Sequence, residues 1–349
     1  MNLFNDFKQR IPEPQSCSVM LSYKCNAECG HCMYACSSKW SADWMTEQQL
    51  DSLFRYISKY TVPAPYGPED ISLNHGIHLS GGDPFLNYEL LLKAVDLAKE
   101  YEIPSVFVET NCFWCLDDQT TRERFLELKA AGMHGVMISV NPFYLEFVPF
   151  ERTERAIRIA HEIFGNNLAV YQTEYYRRFI ELGISGTVKY KDYLKIEPEQ
   201  VFMCNVEFFL TGRPICALSG ILDNYYPRYE AEVLLEQPCR PDFVRPWHNH
   251  FDNYSNYMPS YCAELSYGNW NDLDHFVGTE PDPDEKPVLS MIIQNDFKTL
   301  LEFSRNEGCI DDPAGYFSKC HLCVDIRKYL SENGDYKELS PLEYYKHFG

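Results

Sequence analysis

Along the first two hundred positions, apolar residues recur with two periods in turn, and the alternation predicts strands and helices that succeed one another. Ser18-Val19-Met20-Leu21-Ser22 is a short apolar run, read as a first strand. Further on, Leu50, Leu53, Phe54 and Ile57 stand at i, i+3, i+4 and i+7, the stripe of a helix with one buried face. Thr46 and Gln49 precede the stripe as a capping box, in which each side chain satisfies a backbone N–H that the helix start leaves orphaned. Ile77-His78-Leu79 reads as a second strand, 90–100 as a helix and 105–109 as a third strand. A helix over 120–131 is stopped by Gly132, and a strand follows over 136–140. A helix over 153–164 is stopped by Gly165, and 168–171 is a fifth strand. A less regular stretch leads to 201–210, read as the sixth. Strands alternating with helices predict an α/β chain whose ligands gather at the C-terminal strand ends. The candidates there are Glu109, Asn111, Ser139, Asn141, Gln172 and Arg213, each of them apart from Ser139 as much a structural cap as a ligand. The alternation stops in the last third, which is rich in Tyr, Asn, Asp and Pro.

Composition narrows the classes. The chain has 349 residues, 45% of them hydrophobic, and a formal net charge of −20. A nucleic-acid binder needs a basic footprint to displace counterions, so DNA and RNA are excluded as substrates. No apolar run is long enough to span a membrane. Residues 1–15 are polar with two prolines and lack the apolar core of a signal peptide, so the expected location is the cytoplasm. Fourteen cysteines in such a chain point to metal or redox chemistry rather than disulfides.

The chemistry is concentrated in Cys25-Asn26-Ala27-Glu28-Cys29-Gly30-His31-Cys32, a C-x3-C-x2-C spacing. At the cysteine frequency of this chain, a given triple spacing arises by chance about 0.02 times. Three thiolates hold three irons of a cubane and leave the fourth open. The triad resembles the signature of the radical S-adenosylmethionine (radical SAM) superfamily, with His31 as the His or aromatic residue before the third cysteine. The resemblance implies a partial (β/α)6 TIM barrel, a [4Fe–4S] cluster on Cys25, Cys29 and Cys32, and S-adenosylmethionine chelated to the open iron. It also implies reductive cleavage to a 5′-deoxyadenosyl radical that abstracts a hydrogen atom. A structural zinc site, with Cys36 as a fourth ligand, is the blander reading, and the spacing fits it poorly.

After the second strand comes Ser80-Gly81-Gly82-Asp83-Pro84. Two glycines there allow a backbone to approach a ligand closely, or make an ordinary turn. The family carries Gly-Gly-Glu-Pro here for the SAM amino group, which assigns Gly81, Gly82 and Asp83 to cofactor binding, with the acid shortened. His31, Glu109 and Ser139 join that set, Ser139 at the strand end where the family often contacts the SAM ribose. Cys112 and Cys115 are either a redox pair or two buried thiols, at a position where relatives often have Asn-Gly. Cys204, in the expected sixth strand, is a hydrogen-atom donor if it points inward and core if it does not.

The C-terminal third carries Cys239, Cys262, Cys309, Cys320 and Cys323. The stretch from Phe251-Asp252-Asn253-Tyr254-Ser255-Asn256-Tyr257 through Cys262 to Gly268-Asn269 resembles the SPASM and Twitch auxiliary-cluster domains, with Ser255 in place of the usual Gly. That resemblance implies a second [4Fe–4S] cluster on Cys239, Cys262, Cys320 and Cys323, with Cys309 in reserve. A zinc knuckle and buried free thiols are the other readings. The expected organisation is a lead-in over 1–16, a radical SAM partial barrel over 17–235 and a small, irregular, cysteine-rich auxiliary-cluster domain over 236–349.

The expected activity is hydrogen abstraction from a peptide or natural product, leading to epimerisation, cross-linking or oxidation. A dehydrogenase or rearrangement enzyme acting on a small metabolite is the alternative, and a non-catalytic iron–sulfur carrier or maturation scaffold is the alternative of another class. Phe113-Trp114 after Asn111 resembles the Asn-Gly-Phe-Trp of a peptide epimerase. The expected partners are a peptide or small-molecule substrate and an electron donor of the flavodoxin or ferredoxin kind, with no nucleic acid and no membrane.

Overall fold

The computed structural model describes residues 10–236 and 238–348; of the expected lead-in, residues 1–9 lie outside them. By their contacts, residues 15–29 and 36–207 form one compact unit, and residues 10–14, 30–35, 208–236 and 238–348 form another. Residues 208–235, assigned to the barrel by sequence, therefore cluster with the second unit.

The first unit is a β/α succession: β1 (Ser16–Met20), α1 (Glu47–Ile57), β2 (Gly76–Ser80), α2 (Tyr88–Glu100), β3 (Phe107–Thr110), α3 (Asp118–Ala131), β4 (Gly135–Ser139), α4 (Pro142–Leu145), α5 (Phe150–Phe164), β5 (Leu168–Tyr171), α6 (Thr173–Glu181), α7 (Tyr190–Ile196) and α8 (Glu199–Asn205). The five strands pair in parallel in the order β5-β4-β3-β2-β1. The helix starts follow the expected chemistry. Thr46 Oγ1 accepts from Gln49 N–H at 3.2 Å, and Gln49 Oε1 accepts from Thr46 N–H at 2.8 Å. Leu50, Leu53, Phe54 and Ile57 are all buried, each contributing about 1.5–3 kcal/mol by leaving water.

Strand register sorts the side chains onto two faces. Cys17, Val19, Ile77, Leu79, Val108, Val136, Ile138, Leu168 and Val170 share one, which is apolar but for Thr110 at the end of β3. α5 packs on β4 and β5, and α1, α2, α3 and α5 touch in sequence as one layer. Ser18, His78, Ser80, Glu109, Met137, Ser139 and Tyr171 share the opposite face. A core of that size needs no hydroxyls, imidazole or carboxylate, so this polar face is the one left for ligands.

The sixth strand is not formed. Residues 199–205 are α8, preceded by Pro198 at its cap, and only Phe202 of the helix is buried. Pro198 sets the backbone angle of a helix start and donates no N–H, so the following apolar run of four residues closes as a helix turn. Cys204 is accordingly exposed on this helix, which corrects its expected strand position and removes the inward orientation that a hydrogen-atom donor needs.

The second unit holds a three-stranded antiparallel ribbon, β6 (Asn249–Phe251), β7 (Asn256–Met258) and β8 (Gly268–Asn269). Around it stand α9 (Pro214–Ala217), α10 (Ser219–Tyr225), α11 (Arg240–Phe243), α12 (Leu273–Phe276), α13 (Pro287–Ile293), α14 (Phe297–Asn306) and α15 (Lys319–Asn333). The β6–β7 turn is built by Asp252, whose carboxylate accepts from Tyr254 N–H at 3.0 Å, Asn256 N–H at 2.7 Å and Asn256 Nδ2 at 3.0 Å. Ser255 closes the turn at φ +70°, a left-handed conformation in which Cβ crowds the carbonyl. A glycine would meet the demand of this turn freely, and serine meets it under strain. Ser255→Gly is expected to raise stability by about 1 kcal/mol, read as a higher urea midpoint at unchanged slope; an unchanged or lower midpoint would show that the turn bears no strain there.

Candidate cluster and cofactor site

β2 runs out into Gly81-Gly82-Asp83, and this turn lies against the segment that leads into the cysteine triad. Gly82 N–H donates to Ser22 O at 2.7 Å and Asp83 N–H to Lys24 O at 3.3 Å. A Cβ on Gly81 would stand 2.2 Å from Ser22 O, and one on Gly82 only 1.9 Å from Lys24 O. Gly81 also takes φ +125°. The close approach that two glycines allow is therefore to the chain's own triad loop. Cys36, the candidate fourth ligand of the zinc reading, donates its thiol to Gly81 O at 3.5 Å.

Asp83 is buried at 1% exposure. Its Oδ1 accepts from Phe85 N–H at 3.1 Å, and its Oδ2 from Thr110 Oγ1 and Asn111 N–H, both at 2.9 Å. Burial pushes its carboxyl up to about 7, against the downward pull of these three bonds. The carboxylate expected to meet the SAM amino group is thus committed to the turn and to the end of β3. Asn111 carries the network onward: its Nδ2 donates to Asn26 Oδ1 at 2.9 Å and points to Cys25 Sγ at 3.9 Å. Ala27 N–H also points at Cys25 Sγ, at 3.4 Å. Two N–H groups aimed at one sulfur suit a thiolate, the form that binds iron.

Within the second unit, the loop over 30–35 is held by residues 211–213 and by Tyr344. Arg213 N–H donates to Cys32 O at 3.4 Å, its Nη2 to Ala35 O at 2.6 Å, and Tyr344 Oη to Met33 O at 3.0 Å. His31 is 9% exposed; burial, then the Arg213 charge, pulls its imidazole down to about 3, so it is neutral at physiological pH.

On the polar sheet face, Glu109 Oε1 lies 3.3 Å from His78 Nε2, with its side chain 28% exposed. Enclosure pushes its carboxyl up to about 7, a shift that the water reaching the exposed quarter moderates. Ser139, 8% exposed, ends β4 on the same face. Asn141 is a cap, accepting from Phe143 and Tyr144 N–H at the start of α4. Gln172 is a brace, exchanging two hydrogen bonds with the Glu207 backbone. Cys112 and Cys115 are wholly buried and hydrogen-bond each other, and burial raises the Cys112 thiol well above its ordinary value. Inert buried thiols are the reading this supports. Cys112 stands at φ +68°, the backbone that a glycine would adopt with less strain.

The structure brings together four of the distal cysteines. Cys239, in the loop before α11, Cys262, between β7 and β8, and Cys320 and Cys323, in the first turns of α15, lie close enough for their charges to interact. Enclosure, then the neighbouring thiols, raises Cys262 well above its ordinary value and pushes Cys320 up to about 12, a shift that water moderates at Cys320 because that residue is exposed. Four thiols that oppose one another's ionisation in a half-buried site fit a multivalent metal centre, whose charge reverses the sign of that interaction. Cys309 stands apart, where Asp325, Asp311 and Arg305 are the charges that act on it. The sequence offered no sign of Arg327 or Lys319 as neighbours of the distal cysteines, because each arrives through the tertiary fold.

Comparison with known proteins adds to this. Residues 15–139 match the family described as a 4Fe-4S single cluster domain. That match takes in the triad and the Gly-Gly-Asp-Pro turn. The chain is 27% identical over 131 residues to "Putative peptide biosynthesis protein YydG" of Bacillus subtilis (strain 168), a match that spans 38% of this chain and 37% of that one. Solved structures that resemble it include "Native anSMEcpe with bound AdoMet", with 14% identity, a TM-score of 0.43 and 90% of this chain and 96% of that one covered. Another is "Crystal structure of BtrN in complex with AdoMet and 2-DOIA", with 13% identity, a TM-score of 0.39 and coverage of 89% and 91%. At TM-scores under 0.5 these likenesses fix neither fold nor chemistry. Among the described residues, no helix is long and apolar enough to cross a membrane.

Asp83→Ala is expected to destabilise the protein by about 1–3 kcal/mol, because three buried donors lose their acceptor. The raised carboxyl of the parent makes its own stability fall as pH rises from the ordinary carboxylate range through about 7. The difference between parent and variant is therefore widest near the acid end of that window. Urea unfolding at pH 5 and pH 8 measures it; equal stabilities at both would show that the network braces nothing.

Proposed function

We propose that this chain is a radical SAM enzyme that abstracts a hydrogen atom from a peptide substrate. The observation that carries the reading is the docking of Gly81-Gly82 on the backbone that leads into the triad, joined through Asp83 and Asn111 to Cys25. A carrier that only holds and releases a cluster has no use for a turn built so tightly against its ligand loop. Cys25, Cys29 and Cys32 would hold the cluster, and the N–H groups of Ala27 and Asn111 would stabilise its Cys25 thiolate. When bound, the cluster supplies the electron that cleaves S-adenosylmethionine to methionine and a 5′-deoxyadenosyl radical. The Gly81-Gly82 backbone, His31, Glu109 and Ser139 are the groups proposed to face the cofactor. The peptide substrate is supported by the relative whose name gives peptide biosynthesis. Cys239, Cys262, Cys320 and Cys323 are proposed to hold a second, fully ligated [4Fe–4S] cluster, in a region proposed to be of the SPASM or Twitch type, and the electron donor is proposed to be of the flavodoxin or ferredoxin kind.

The protein reconstituted without oxygen is expected to form 5′-deoxyadenosine from S-adenosylmethionine and dithionite, and to hold about eight irons per chain. The variant with Cys25, Cys29 and Cys32 all changed to Ala is expected to lose that product and keep about four irons. Product at the parent rate from this variant would refute the triad assignment, and zinc in place of iron would refute the second cluster.

A further inference from the structure

Two cations are buried beside the four distal cysteines. Lys319 is 5% exposed, one residue before Cys320 at the start of α15. Its ammonium lies 4.4 Å from the centre of the Phe297 ring and within hydrogen-bonding reach of the Cys239 sulfur. Arg327 is 2% exposed and follows Cys320 and Cys323 by seven and four positions on the same helix, so all three share one face. Its Nη1 donates to Ala263 O, the residue after Cys262, at 2.8 Å, and lies 3.4 Å from Tyr345 Oη. Its buried Nε has no hydrogen-bond partner among the described residues, and among those residues no carboxylate pairs with the guanidinium within 4 Å. The charges that bear on Arg327 include those of Cys323 and Cys262.

A buried guanidinium without a carboxylate is costly unless an anion shares its site. Iron–sulfur cubanes with four thiolates are anions, and each becomes more negative by one charge on reduction. A fixed positive charge nearby, in a medium of low dielectric, therefore favours the reduced state, and N–H groups aimed at the sulfurs act in the same direction.

We propose that Lys319 and Arg327 are the charge partners of the distal cluster, placed to raise its reduction potential so that the site takes up an electron rather than delivers one. Arg327 is also a positioning residue, tying the helix of Cys320 and Cys323 to the loop of Cys262. The proposal rests on the reading of these cysteines as a second cluster.

The test uses the full-length chain with the three triad cysteines changed to Ala, so that the distal cluster alone is seen. Iron per chain and the midpoint potential from an EPR-monitored redox titration are read for this chain and for the added changes Lys319→Met, Arg327→Gln and Arg327→Lys. Lys319→Met and Arg327→Gln are each expected to keep their iron and to weaken the preference for the reduced cluster about tenfold, a downward shift of about 59 mV for one electron. Arg327→Lys is expected to stay near the parent. If Arg327→Gln fails to assemble a cluster, Lys319→Met and Arg327→Lys decide by the same criterion. Unmoved potentials at full iron content overturn the charge-partner role. A triad variant that holds no iron overturns the second cluster itself, and the two failures are thereby told apart.

Discussion

A hydrogen-sized clearance governs the first unit. Two backbone segments, the end of β2 and the lead-in to the triad, meet so closely that a single carbon on Gly82 would lie 1.9 Å from Lys24 O. Everything nearby follows from that approach. It seats Ser22 and Lys24 carbonyls on the turn's N–H groups, turns the Asp83 carboxylate inward onto β3, and lets Asn111 reach Asn26 and Cys25. The ligand loop is thereby fixed from beneath by parts of two strands. A loop held at one end only would leave its sulfurs free to sample many positions and would bind metal at a corresponding entropic cost.

The second unit solves a different problem with charge rather than clearance. Its cysteines come from three separate segments, and bare thiolates at that spacing repel one another. Lys319, Arg327 and the amino end of α15 supply positive potential from inside the fold. In the first unit two neutral N–H groups point at the Cys25 sulfur; in the second the surroundings of the four sulfurs include full charges.

Much of this was legible in local pattern. The capping box at Thr46, the stripe of α1 and the glycine stops at 132 and 165 are short-range devices, and each lies within two or three residues of its expected place. The largely apolar stretch 201–210 misled, because its opening run of four apolar residues fits a strand or a helix turn equally, and the signal that decided was Pro198. The triad and the four distal cysteines were visible by spacing, and the structure separates Cys309 from the four. What spacing could not show was commitment. Asp83 takes its partners from Thr110 and Asn111, almost thirty positions on, and only the pairing of β2 with β3 puts them within reach. Arg327 is invisible for the same reason, because its partners Ala263 and Tyr345 lie well away from it in the chain.

The four distal cysteines also span more than eighty residues of chain between the first and the last. A cluster fastened to all of them is a cross-link as well as a redox centre, closing loops of a length for which chain-entropy bookkeeping assigns about 4–5 kcal/mol. Such a knot would be tied only after the ribbon, the loop of Cys239 and the start of α15 have met, and would be cut whenever oxygen strips the iron. Metal supply and the persistence of the folded C-terminal region are in that case one quantity, and a cell short of iron would accumulate this chain in a loosened form.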